Sequence, residues 1–367
     1  QYENYVIWFA CVLAFDATSA ILLAKLRYLE QPKKFAIIQL TSIGVNIGLN
    51  LLFLLWLFDD YPAVGIGFVF LANLFASAVK PLMLYKELSS FRFVFDRALA
   101  KAMIWFSVPL LIASFAGIIN ETLDRILLKN LLLSEGEEFA KSQVGIYSAN
   151  YKLAIFITIF IQAFRYAAEP FFFSLETDEN RDKTYSKVMT WFVIVVSLMF
   201  LVIASNLEIF KWFIPNESYH EGLKVVPILL LANVFLGIYY NQSIWYKLAN
   251  KTIYGAYIAI GGAVITIVLN VSLIPILGYM GSAWATFACY GSMMVASHIF
   301  GQRIYPIKYN LRKVFLYLFT AIGLYFLGLL LSFESFWLTF VIHGLLILVF
   351  VGLIFVMEQP LKTFRKN

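Results

Sequence analysis

Long apolar runs broken by short charged turns set the rhythm of this chain. A run of about 20 apolar residues is what an α-helix needs to cross the hydrocarbon core of a bilayer. Eleven such runs are legible, at roughly 4–25, 35–58, 62–85, 101–120, 145–169, 185–205, 223–248, 252–275, 279–301, 311–332 and 336–357. The turns between them are too short for a soluble catalytic domain. The pattern predicts an all-α polytopic membrane protein.

Charge in the turns supplies a second, independent pattern. Alternate turns carry about twenty Lys and Arg residues, from Lys25, Arg27, Lys33 and Lys34 to Lys362, Arg365 and Lys366, against about five on the other side. The rich side alternates through all eleven runs, and a missed or invented helix would break that alternation. The positive-inside rule then places Gln1 outside and Asn367 in the cytoplasm. A start outside, with neither Met nor a signal peptide, leads us to expect an odd number of helices upstream.

Composition agrees: 61% of residues are hydrophobic and 14% charged, and mean hydropathy is +0.80. A soluble protein of this length has no way to hide so much apolar surface. The net charge of +6 is spread over short turns, which argues against nucleic acid as a partner. Cys11 and Cys289 sit inside apolar runs and form no metal pattern, and the three histidines are scattered. There is no Walker A sequence. No metal or cofactor is expected.

The chain also repeats itself. Lys25-Leu26, then Lys33 and a helix ending Leu49-Asn50, is echoed by Lys247-Leu248, then Lys251 and a helix ending Leu269-Asn270. The offset is about 220 residues, or six helices, so both copies point the same way; parallel repeats of this kind are a transporter architecture. The expected division is a partial bundle of three helices at 1–85, a charged cytoplasmic linker at 86–100, a six-helix bundle at 101–301, and two further helices with a tail at 302–367.

Polar residues inside the runs are the candidate chemistry, since they are costly in a bilayer and usually face a bundle interior or a wet cavity. On the helix at 145–169, Tyr147, Tyr151, Thr158, Gln162, Arg165 and Glu169 fall within an arc of about 60°. Arg165 and Glu169 are spaced to pair. A cavity wall with Arg165 toward an anionic group is the functional reading; a helix–helix contact with a satisfied ion pair is the bland one. Lys152 lies about 100° off the stripe and is a further cationic candidate. Gln39, Ser42, Asn46 and Asn50 form a second, weaker stripe that fits interhelical hydrogen bonding equally well. Asp124 and Arg125 sit near the outer end of the helix that starts at Lys101, provided it continues through Pro109 and Gly117. Asp16, in the first helix, needs a partner or a proton, and Arg165 and Lys80 are the structural candidates. For Lys80 itself, snorkelling to the interface is the simpler account.

Three stretches carry a resemblance: Leu123-Asp124-Arg125-Ile126-Leu127-Leu128 after Phe106-Ser107-Val108-Pro109-Leu110, the segment from Val144 to Ala154, and Gln162-Ala163-Phe164 running to Glu169-Pro170-Phe171. Arg27 followed by Pro32, Lys33 and Phe35 adds a fourth point. Together the sequence resembles the polysaccharide-transporter (Wzx-type) flippases of the multidrug/oligosaccharidyl-lipid/polysaccharide exporter superfamily. The resemblance implies fourteen helices built as six, six and two, of which the eleven here match the fourth to the fourteenth. It implies a transporter rather than an enzyme, in the bacterial inner membrane, which flips undecaprenyl-diphosphate-linked oligosaccharide units by alternating access. Its partners would be the lipid-linked oligosaccharide, membrane lipid and other polysaccharide-assembly membrane proteins. In that setting Arg165 would meet the diphosphate, Tyr147, Tyr151 and Gln162 the sugars, Lys152, Arg125 and Asn46 would be further substrate-binding candidates, and Asp16, Glu169 and Asp124 would serve coupling or ion pairing. A drug or cation exporter of the same superfamily and a lipid II flippase are the alternatives; a membrane polymerase would need a sizeable catalytic loop.

Overall fold

The computed structural model describes residues 2–57, 67–89 and 95–358. Outside them lie the turn containing Gly65, linker residues 90–94 with Phe91 and Phe93, and the tail with Lys362, Arg365 and Lys366. The chain divides into two compact units, Gln1–Asp96 and Arg97–Asn367.

The first unit holds α1 (Tyr2–Tyr28), α2 (Pro32–Leu52), α3 (Gly67–Met83) and the short α4 (Tyr85–Ser89). Between α1 and α2 the chain turns through Glu30, whose φ of 52° is left-handed. Pro32 then opens α2 at a position where its missing N–H costs nothing. A π-helical turn over Phe53–Leu57 extends α2. The core here is small: Leu22, Leu23, Leu26, Ile38 and Leu84, with Phe35 against it. Most of the remaining Leu, Ile and Phe on these helices are exposed, as expected of surface solvated by lipid.

The second unit holds α5 (Arg97–Leu131), α6 (Glu137–Ser174), α7 (Arg181–Ser205), the short α8 (Leu207–Phe210), α9 (Val226–Gln242), the short α10 (Ile244–Leu248), α11 (Ile253–Leu277), α12 (Tyr279–Ile304), α13 (Leu311–Leu330) and α14 (Phe336–Glu358). The central helix, α9, packs on α6, α7 and α12; α11 joins α12 to α5; α13 and α14 stack on the far side of α7. Between α11 and α12 the chain reverses at Gly278, whose φ of 55° with ψ of −136° suits glycine alone. Three residues on, a Cβ on Gly281 would sit 2.6 Å from the backbone carbonyl carbon of Leu273, so α11 and α12 touch main chain to main chain there.

Among the described residues the eleven helices of 17 residues or more fall one to one on the eleven predicted runs. Nine segments are long and apolar enough to cross a membrane by length and composition; Gly67–Met83 is apolar but shorter. α12 falls outside both sets, because its face toward α9 and α11 is built of small and polar residues such as Gly281, Ser282, Thr286 and Ser297, all buried. Two helices exceed their predicted bounds by eight residues or more at one end. The helix expected at 101–120 runs unbroken through Pro109 and Gly117 to Leu131, and the one expected at 145–169 starts at Glu137. Hydropathy marks only the part of a helix that lipid or core covers, so polar end turns escape it.

Candidate functional site

The second unit encloses a cavity of about 410 Å³ between α5, α6, α9, α10, α11 and α12. Four charged side chains line it: Glu121 of α5, Arg165 and Glu169 of α6, and Lys247 of α10. Tyr239, Tyr240, Tyr246 and Tyr290 supply an aromatic wall with polar tips.

These groups are unequally paired. Lys247 Nζ lies 2.6 Å from Glu169 Oε1, a charge-assisted hydrogen bond. Arg165 Nε is 3.8 Å from the same oxygen, beyond hydrogen-bonding distance. One Arg165 Nη donates weakly to Gln162 Oε1 at 3.4 Å, and the guanidinium lies 4.1 Å from the Tyr240 ring centroid. Its Nε is buried and makes no hydrogen bond. Lys247 thus holds the carboxylate, while Arg165 is propped by an aromatic face at the cavity wall.

The predicted stripe on α6 does not form one wall. Arg165 and Glu169 line the cavity. Gln162 is exposed beside them. Thr158 is two turns away and donates to Asn233 Oδ1 at 3.1 Å, fastening α6 to α9. Tyr147 is fully buried, with its hydroxyl 3.4 Å from Thr286 Oγ1 of α12. Neighbouring helices have filled the far half of the stripe, because a polar groove in a packed bundle closes wherever a partner can satisfy it. Lys152 is exposed, away from this cavity.

A second charged group gathers near that end. Asp124 is buried and accepts from the Arg125 backbone N–H at 2.7 Å. The Arg125 guanidinium is 3.3 Å from Asp124 Oδ1, bonds the Glu121 carbonyl, and lies 4.6 Å from the Tyr151 ring centroid. Asp124 Oδ2 is buried and forms no hydrogen bond.

In the first unit the polar groups pair with one another. Lys80 Nζ meets Asp16 Oδ1 at 3.0 Å, so Asp16 has Lys80 as its partner and Lys80 does more than snorkel. Asn46 donates to Asn73 Oδ1 at 2.9 Å, and Ser42 donates to the Ala76 carbonyl. Lys34 bonds Glu87 on α4 and holds that carboxyl below its usual range.

Lys247 and the four tyrosines of the cavity were not singled out in the sequence as site residues. A signal existed for part of the set. Tyr239, Ser243, Tyr246 and Lys247 are spaced i, i+4, i+7 and i+8, a helical face that continues across the short break between α9 and α10.

Fold and site together define a polytopic helical membrane protein with a charged, aromatic cavity inside one bundle. Residues 4–176 match the model of the family described as Polysaccharide biosynthesis protein. The fold is similar to that of a solved structure, Lipid II flippase MurJ in an inward closed conformation, at 14% identity and a TM-score of 0.64, over 98% of this chain and 75% of that one. No curated protein matches in sequence. The family match spans just under half of the chain, and the structural likeness shows a shared fold.

Proposed function

We propose that this chain serves in flipping undecaprenyl-diphosphate-linked oligosaccharide units across the bacterial inner membrane by alternating access, for surface polysaccharide such as O-antigen, capsule or exopolysaccharide. The observation that carries the proposal is Arg165: a guanidinium lining a cavity of about 410 Å³ in a membrane bundle, propped by the Tyr240 ring and a weak hydrogen bond to Gln162, with Glu169 at 3.8 Å. A lipid diphosphate is doubly anionic and needs fixed donors to leave water, and guanidinium suits phosphate geometry. The tyrosines around it offer hydroxyls and ring faces of the kind sugars use. Lys247 keeps Glu169 from claiming the guanidinium. In this reading the Lys- and Arg-rich turns face the cytoplasm, and membrane lipid and other assembly proteins surround the chain.

Glu121 favours a second reading, a cation or drug exporter of the same superfamily. Its carboxylate lines the same cavity, is exposed, and has no hydrogen-bond partner.

The test is complementation by the full-length gene product in a strain lacking its own oligosaccharide-unit flippase. Restored surface polysaccharide, lost again in Arg165→Ala at equal membrane abundance, is the expected result. Undiminished rescue by that variant would remove Arg165 from the path. Drug resistance without rescue would select the exporter reading, and rescue of a lipid II flippase depletion would select lipid II as the cargo.

A further inference from the structure

At the other side of α7 from the charged cavity, a second concavity of about 670 Å³ opens where α7 and α13 begin and α14 ends. Four lysines line it: Lys183, Lys187, Lys308 and Lys313. Three carboxylates line it too, but two of them have a basic neighbour. Glu358 accepts from Lys313 Nζ at 2.7 Å and from the Tyr317 hydroxyl at 2.8 Å. Asp182 has Arg181 Nε at 3.5 Å. That leaves Lys183, Lys187 and Lys308 against Glu179.

The walls are fixed. The backbone N–H of Asn310 donates to Ser186 Oγ at 3.0 Å, and Asn310 Oδ1 caps α13 through the Lys313 N–H at 3.2 Å. The loop carrying Lys308 is therefore fastened to the α7 face that carries Lys183 and Lys187. Directly beyond the concavity, Phe315 and Phe319 of α13 and Phe355 and Val356 of α14 are exposed, the kind of surface acyl chains cover. A basic concavity between helix ends, with exposed aromatics on the same helices, is the kind of site that takes a lipid phosphate.

We infer that this concavity is a binding site for a phosphoryl anion, occupied in the membrane by the headgroup of an anionic phospholipid and held by Lys183, Lys187 and Lys308. It is separate from the cavity of Arg165, and it stands whether or not the flippase reading does.

Native mass spectrometry of the purified chain tests it, with phosphatidylglycerol, phosphatidylethanolamine and inorganic phosphate as probes. Phosphatidylglycerol should bind in preference to phosphatidylethanolamine. A Lys183→Ala/Lys187→Ala/Lys308→Ala variant should bind it on the order of a hundredfold more weakly, at roughly fivefold per lysine, while the corresponding Lys→Arg variant keeps it. Millimolar inorganic phosphate that displaces phosphatidylglycerol from the wild type but does not bind the alanine variant would assign the same site to a soluble phosphate. If the triple variant does not fold, Lys308→Ala, in an exposed loop, should still show the roughly fivefold loss. Equal binding of both lipids, or equal binding of every probe by wild type and variant, would overturn the proposal.

Discussion

The two units solve the problem of polar residues in a membrane in opposite ways. In Gln1–Asp96 the polar side chains meet across helices, Asp16 with Lys80 and Asn46 with Asn73, around a core of a few leucines and one isoleucine. In Arg97–Asn367 the core is extensive, glycines bring helices into contact, and charged groups surround a void. The glycines show the difference directly. A Cβ on Gly44 or Gly48 of α2 would meet nothing within 4 Å; in the second unit glycines such as Gly117, Gly323 and Gly352 are as open, but on Gly281, Gly237 or Gly262 a Cβ would collide. A unit that packs loosely can spend its polar groups on its own cohesion. A unit held by close packing can leave Arg165 short of partners.

The sharpest way to break this comparison is at the glycines. Gly281→Ala should cost about 2–3 kcal/mol, because the obstacle is the Leu273 backbone and not a side chain that can swing away. Gly48→Ala should be neutral or stabilising by up to about 1 kcal/mol. Thermal unfolding of the two variants in detergent reads this out, and equal losses would show that the units are packed alike.

Ion pairs give the next contrast. Lys247→Ala leaves Glu169 with only a distant Arg165, in a site where Lys247 is 12% exposed, and should cost about 1–3 kcal/mol. Removing Glu169 as well should recover part of that loss. Lys80→Ala acts on a pair whose Asp16 is 44% exposed and should cost about 0–1 kcal/mol. A Lys80→Ala loss as large as that of Lys247→Ala would mean that the first-unit pair is far drier than its exposure indicates.

Interhelical amides come third. Asn46→Leu should cost roughly 0.6 kcal/mol, the usual value for such a bond in a bilayer, and Asn46→Leu/Asn73→Leu should cost no more than the single variant. Strict additivity in that cycle would show that the two amides do not interact.

The smallest effect concerns pH. The Glu87 carboxyl is lowered from 4.5 in the folded chain, chiefly by its bond to Lys34. A depressed carboxyl stabilises the fold above its unfolded pKa, and that contribution fades as pH falls through 4.5 and below. Between pH 6 and about pH 3.5 the wild type should therefore lose slightly more stability than Glu87→Gln. A parallel decline in the two proteins would detach Glu87 from the acid response.

Helix positions were legible because a membrane helix carries its own instructions: an apolar run for the span and charge at its ends. The stripe on α6 was legible for the same reason, since periodicity is local. Which parts of the stripe would be covered was not. Whether Tyr147 is buried depends on Thr286, some 140 residues away, and nothing local to α6 encodes that contact. Lys247 was hidden by a different cause. At the end of an apolar run it reads as a turn charge for topology, although it shares a helical face with Tyr239, Ser243 and Tyr246 and meets Glu169 there. Asn73 and Asn233 passed unnoticed because a lone amide in an apolar helix makes no pattern until its partner is known.

Thr158 has a mechanical meaning beyond its hydrogen bond. It is seven residues from Tyr151 and seven from Arg165, so it sits at the midpoint of a rod about 21 Å long. Arg125 of α5 rests on one end of that rod, and Arg165 stands at the other, one turn short of the Glu169–Lys247 pair. A see-saw pivoted at its centre moves both ends equally and in opposite senses. Tilting α6 by about 10° around Thr158 displaces Tyr151 and Arg165 by about 2 Å each. That is enough to make a hydrogen bond at one end while breaking one at the other, with no bending of the helix between.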